Sequence, residues 1–180
     1  MTDKLLIAGF GGQGIMLMGE LLAYGAMSAK KKVTFMPSYG PEMRGGTANC
    51  SVIISDEPIS SPIVTNPKIL IAMNGPSLGK FEEDVLPGGL IFYNYSLFQP
   101  SEIRGDVCYV PVDCARLARE ILSEKVSNMV MLGAVIRRTG ILPGEAIEGA
   151  IEKKFAGAKE SFIPVNKNAL AAWQYLEKAG

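Results

Sequence analysis

Histidine is absent from all 180 residues. Its absence excludes a Ser-His-Asp triad, a Cys-His pair, an H-E-x-x-H zinc site and a histidine general base, each of which needs an imidazole to move a proton or hold a metal. Cysteine is scarce. Cys50, Cys108 and Cys114 are an odd number without a C-x-x-C pair, a pattern that fits neither a disulfide framework nor the ligand run of a zinc or iron–sulfur site. They read as small buried apolar residues in a reducing compartment. Net charge is missing as well: 18 Lys and Arg balance 18 Asp and Glu. No broad basic field is available for phosphate backbones or anionic lipid, so neither nucleic acid nor a membrane is expected as a partner. No apolar run approaches the roughly 20 residues of a membrane-spanning helix, and the N-terminus is strand-like, unlike a signal peptide. The expected location is cytoplasmic.

Apolar residues make up 48% of the chain and charged residues 20%, enough to build one well-packed domain over 1–180. No repeat, low-complexity tract or linker divides it. Residues 4–8 (KLLIA), 32–38 (KVTFMPS), 49–55 (NCSVIIS), 69–74 (ILIAMN), 90–94 (LIFYN) and 107–112 (VCYVPV) are short apolar runs bounded by turn residues, as expected of buried strands. Helices are predicted over 13–30, 77–85, 114–124, 128–139, 144–155 and 167–178, with Pro143 at the first position of the fifth. This alternation predicts an α/β fold with a Rossmann-like open, mostly parallel sheet and helices on both faces. The first strand, first helix and second strand should form a β-loop-α-β unit. In the first helix, Gly19 and Gly25 each cost about 1 kcal/mol against alanine. Compensation is expected from close approach of another backbone at Gly19, Ala23, Ala26 and Ser28. With Met16, Met18, Leu21, Leu22 and Met27 leaving little polar face, that helix should be covered on two sides, by the sheet and by a neighbour. Its methionines also make self-association, as a dimer, or burial against a partner plausible.

Gly9, Gly11 and Gly14 in GFGGQGI follow a strand in the spacing G-x-G-x-x-G and open a helix, the context in which this motif binds a dinucleotide. A free helix N-terminus there also suits an anion. The acid that would hold a nicotinamide-nucleotide ribose is missing. The second strand ends in FMPSYG, with Ser38 and Tyr39 where an Asp or Glu belongs, and Glu42 follows only after a proline. A dinucleotide-dependent oxidoreductase, a module for a phosphate ligand, and glycines that merely turn the chain and pack the helix therefore stand side by side.

A second loop, YGPEMRGGTANC, places Arg44 between Met43 and the Gly45-Gly46 pair, at the carboxyl end of the second strand. An arginine flanked by glycines suits bidentate recognition of a carboxylate or phosphate; the alternative is an intrachain ion pair with Glu42 or Asp56. Asn74, ending a strand, and Asn128, starting a helix, are weaker candidates, since asparagine at such places is commonly a backbone cap.

Taken together, GFGGQGI, YGPEMRGGTANCSVIISDEPISSP, ILIAMN and SNMVMLGAV resemble the gamma subunit of the 2-oxoacid:ferredoxin oxidoreductases over almost the whole chain. The second block is the specific one, and its spelling is most similar to subunits of the 2-oxoglutarate and branched-chain 2-oxoacid enzymes. The resemblance implies a subunit of an enzyme that oxidatively decarboxylates a 2-oxoacid with coenzyme A, giving acyl-CoA, carbon dioxide and reduced ferredoxin. Thiamine diphosphate, magnesium and an iron–sulfur cluster would belong to the complex, with none held by this chain alone. Implied partners are alpha and beta subunits, with a delta subunit in some assemblies, and ferredoxin through the complex. Catalytic residues are not expected. Carried onto matching positions, Gly11, Gly12, Gln13 and Gly14 would form one rim of a coenzyme A or subunit contact, and Tyr39, Met43, Arg44, Gly45, Gly46 and Asn49 the other.

Overall fold

The computed structural model describes residues 1–38, 47–121 and 126–172. Six strands form a single sheet: β1 (Thr2–Phe10), β2 (Lys32–Ser38), β3 (Thr47–Ser55), β4 (Ile69–Ala72), β5 (Leu90–Asn94) and β6 (Cys108–Val112), in the order β2-β3-β1-β4-β5-β6. β1, β4, β5 and β6 pair in parallel, with Leu5 opposite Ile69, Ile71 opposite Phe92 and Asn94 opposite Val112. β3 is antiparallel to both β1 and β2. The sheet is thus mostly parallel, but β2 does not lie beside β1. An antiparallel strand can return without a helical crossover, so β3 occupies the place next to β1 and displaces β2 to the edge.

Every residue of β4 is buried, as a parallel strand covered on both faces requires. The helices are α1 (Ile15–Ser28), α2 (Gly75–Phe81), α3 (Cys114–Glu120), α4 (Ser127–Thr139), α5 (Gly144–Phe155) and α6 (Ile163–Ala171). They cover the two faces unequally. Leu5, Ile7, Val52, Ile71 and Phe92 point into a large core shared with α1 and α3 to α6. Leu6, Leu70, Ala72 and Ile91 form a smaller core closed by Leu78 of α2, Val85 and Phe98.

Against the expected boundaries, α5 agrees at both ends. Pro143 sits one place earlier than predicted, as the extended residue before the helix, with φ −61° and ψ 143°. The sixth helix begins at Ile163, and its predicted end, like that of the third, falls outside the described residues. α1 packs on β2 and β3 on one side and on α5 on the other, as its apolar composition predicts. The reason for Gly19 differs from the expectation. A Cβ there would stand 2.5 Å from Phe35 Cε2 and 2.7 Å from Cys50 Sγ, so side chains of the sheet, and no second backbone, take up the space.

Cys50 and Cys114 are fully buried, and Cys108 is exposed, correcting the expectation that all three are interior. Cys108 is the first residue of β6, an edge strand with a neighbour on one side only. Burial pushes the Cys50 thiol up to about 12, with the Glu20 charge adding to the effect, and burial raises Cys114 as well. Neither thiol is poised as a nucleophile. Among the described residues no helix is long and apolar enough to cross a membrane.

Candidate binding cleft at the carboxyl edge of the sheet

Because β1, β4, β5 and β6 run the same way, their carboxyl ends share one edge, where ligands of open α/β sheets bind. After Phe10 the chain turns through Gly11 to Gly14 into α1. Gly14 has φ 74° and ψ 24° and precedes α1 without a side-chain cap. A Cβ at Gly14 would overlap the amide of Asn128 on α4, so glycine is needed both for the left-handed backbone and for the approach of α4.

Gln13 stitches this turn to the end of β4. Its Oε1 accepts from the Phe10 N–H (2.7 Å) and from Asn74 Nδ2 (3.1 Å), and its Nε2 donates to the Met73 carbonyl (3.3 Å). Asn74 then caps α2, its Oδ1 accepting from the Ser77 N–H at 2.9 Å. The sequence reading of Asn74 as a cap is correct. α3 is capped in the same manner by Asp113, whose Oδ1 accepts from the Arg116 N–H (3.1 Å) and from Ser96 Oγ (2.7 Å). Burial opposes ionisation of Asp113, yet the hydrogen bonds from Ser96 and Arg116, with the nearby arginine charges, leave its carboxyl below the usual carboxylate range. α4 follows Val126 without a side-chain cap.

Between the glycine turn, the ends of β4 and β5, and the starts of α3 and α4 lies a cleft of about 350 Å³. Gly12, Gln13 and Gly14 line it, together with Leu17, Met73 and Leu97. Its polar depth comes from Asn94 and Asn128, which are 3% and 6% exposed. Among the described residues Asn94 Oδ1 is buried without a hydrogen-bond partner. Upward of roughly 90% of buried polar groups are paired, and an orphan costs about 1–3 kcal/mol. The orphaned Asn94 acceptor lines this cleft, which also receives the buried Asn128. A cavity of about 380 Å³ near the other end of α4, bordered by Arg137, Gly140 and Leu170, lies away from this edge.

Of the sequence candidates, Gly12, Gln13 and Gly14 line the cleft, and Gly11 is exposed in the turn beside it. Tyr39, Met43, Arg44, Gly45 and Gly46 lie outside the described residues. Asn49 pairs with Ala8 and Ser38 in the sheet. It sits between Ala48 and Cys50, which both face the α1 core, so its side chain belongs to the opposite face. Asp56, one alternative partner for Arg44, is held by Lys31 Nζ (2.7 Å) and the N-terminal amine (2.9 Å), which lower its carboxyl to about 2. Asn94 was missed. Its signal was an asparagine closing an apolar strand, the same pattern as ILIAMN. Asn128 starts a helix as expected but caps nothing.

Residues 4–172 match the pyruvate ferredoxin/flavodoxin oxidoreductase family. The chain belongs to that family. It is 42% identical over 171 residues to ketoisovalerate oxidoreductase subunit VorA of Methanothermobacter thermautotrophicus, covering 94% of this chain and 35% of that protein. It is 38% identical over 154 residues to 2-oxoglutarate synthase subunit KorC of Methanocaldococcus jannaschii, covering 84% of this chain and 82% of the relative. It thus spans about a third of the first relative and most of the second. A solved 2-oxoglutarate:ferredoxin oxidoreductase from Magnetococcus marinus, with 2-oxoglutarate, coenzyme A and succinyl-CoA bound, has the same fold at a TM-score of 0.89. That match has 27% identity and covers 99% of this chain and 31% of that one. β3 stands where the ribose-binding strand of a dinucleotide fold would lie beside β1.

Proposed function

We propose that this chain serves as the gamma-type component of a 2-oxoacid:ferredoxin oxidoreductase acting on 2-oxoglutarate or a branched-chain 2-oxoacid. The reaction converts the 2-oxoacid and coenzyme A into acyl-CoA and carbon dioxide, with two electrons passing singly to ferredoxin and a proton released. The observation that carries this reading is the structural match of 99% of this chain to about a third of an oxidoreductase chain solved with 2-oxoglutarate, coenzyme A and succinyl-CoA bound. The similarity to VorA and KorC subunits supports the choice of oxoacid.

Within the assembly the chain binds and positions. Thiamine diphosphate, magnesium and an iron–sulfur cluster supply the decarboxylation and electron transfer from alpha and beta components, in some assemblies with a delta component. Among the described residues no three His, Cys, Asp or Glu side chains stand close enough to hold a metal ion. Coenzyme A suits the edge cleft better, with the glycine turn and the uncapped starts of α1 and α4 on its wall, and Arg44 is the cation we assign to a phosphate or a partner carboxylate.

Co-expression with alpha and beta components tests the proposal. Ferredoxin reduction dependent on 2-oxoacid and coenzyme A is expected from the complex and not from the chain alone. Full activity of an alpha–beta pair lacking this chain would sink it.

A further inference from the structure

The sheet is not covered alike across its width. α1 packs on β2 and β3 from one side. On the other side the described helix is α2, which packs on β1 and β4, so no described helix lies over β2 and β3 there. Alternation identifies what this bare side presents. Val33 and Phe35 of β2, and Cys50 and Val52 of β3, face the α1 core; Lys32, Thr34 and Met36, with Asn49 and Ser51, therefore point the other way. In β1, Leu6 belongs to the smaller core, which puts Lys4 and Phe10 on this side too. Register sets Lys4 in line with Ile53 and Thr34, and Leu6 in line with Ser51 and Met36. Met36 and Phe10 are 36% and 37% exposed. Lys4 and Lys32 are exposed, and among the described residues neither side chain has an ion pair. No Asp or Glu of these three strands shares their side; Asp3 points to the other, where Lys68 Nζ holds it at 3.0 Å.

We propose that this bare side of β1, β2 and β3 is the docking face for a partner subunit that brings carboxylates to Lys4 and Lys32 and an apolar group to Met36 and Phe10. The assignment rests on the reading that this chain works within an assembly with alpha and beta components. Charge selects the occupant. A second copy would bring its own Lys4 and Lys32 and no carboxylate from these strands to meet them, so self-pairing here would enclose the ammonium groups of both copies unpaired. Addition of a strand at the outer edge of β2 is disfavoured as well, because Pro37 has no N–H to give. The partner therefore lies across the face. The two relatives of which this chain spans about a third carry further protein joined to the matched region, which is the kind of surface this face would meet.

The test measures binding of the full chain to the purified alpha–beta pair by titration calorimetry. The Lys4→Glu, Lys32→Glu double variant should weaken binding roughly tenfold or more, and Met36→Gln should weaken it several-fold. Lys159→Glu, a charge reversal between α5 and α6 on the opposite side of the sheet, should leave binding unchanged. Circular dichroism checks that each variant is folded, and each single lysine variant repeats the measurement if the double variant is not. Raising salt from about 50 to about 300 mM should weaken the parent complex more than that of the double variant. Parent-like binding by the folded lysine and Met36 variants would overturn the docking face and leave the assembly reading intact. Sedimentation of the chain alone as a dimer that the same substitutions dissociate would overturn it in favour of a second copy. If the parent chain binds neither component, the assembly reading falls and the docking face falls with it.

Discussion

Four helices begin at the carboxyl edge of the sheet, and they begin in two ways. α2 and α3 are short and closed by their own side chains, Asn74 and Asp113. α1 and α4 are long and start at Gly14 and Val126 without a side-chain cap. The same edge therefore holds a sealed half, where a side chain caps each first turn, and an open half without such caps, beside which the buried Asn94 Oδ1 lacks a partner among the described residues. The sealed half holds structure together, and the open half is available for recognition. Gln13 joins them, spending its amide on the sealed side so that the open turn is held in place.

The largest expected effect breaks the open half. Gly14→Val forces a branched side chain into φ 74° and against Asn128, so unfolding in urea should show a loss of about 3 kcal/mol. In the sealed half, Asn74→Ala removes a buried cap and a partner of Gln13, with an expected loss of about 2 kcal/mol by the same measurement. Asp113→Ala should cost about 1 kcal/mol at neutral pH.

Acidity sharpens the contrast within the sealed half. The Asp113 carboxyl titrates lower in the folded chain than its unfolded value of about 3.9. Its contribution is therefore complete above that value and is lost as pH falls through the folded one. The stability gap between the parent and Asp113→Ala should narrow between pH 6 and pH 3, at a stage where the Asn74→Ala gap, which involves no titrating cap, stays constant. The smallest effect tests the open half: Asn128→Leu breaks no hydrogen bond within the described residues and should change stability by less than about 0.5 kcal/mol. A loss near that of Asn74→Ala would show that Asn128 has a structural partner, and the division between the two halves would fail.

Most of the fold was legible because apolar strands of four to nine residues, bounded by turns, can satisfy a buried parallel sheet in few other ways. KVTFMPS and LIFYN coincide with β2 and β5 to the residue, and GEAIEGAIEKKF with α5. Strand order was not legible. NCSVIIS reads alike whether it runs with or against β1, since the direction of a fully covered strand leaves no mark on its apolar pattern. At the site, the glycine turn announced itself through residue type. Asn94 did not, because its role depends on what is absent around it.

The sequence by itself determined the element types, the lack of histidine chemistry, the left-handed turn that Gly14 permits and the family resemblance. These are local or compositional properties, set by backbone sterics and side-chain inventory. Only the tertiary structure decided that β3 separates β1 from β2, that Gln13 bonds to Asn74 and Met73, and that Asn94 and Asn128 line one cleft. The physical reason is that a hydrogen bond between elements depends on where the packed core holds them, and residues 34 positions apart in the chain carry no local signal of that meeting.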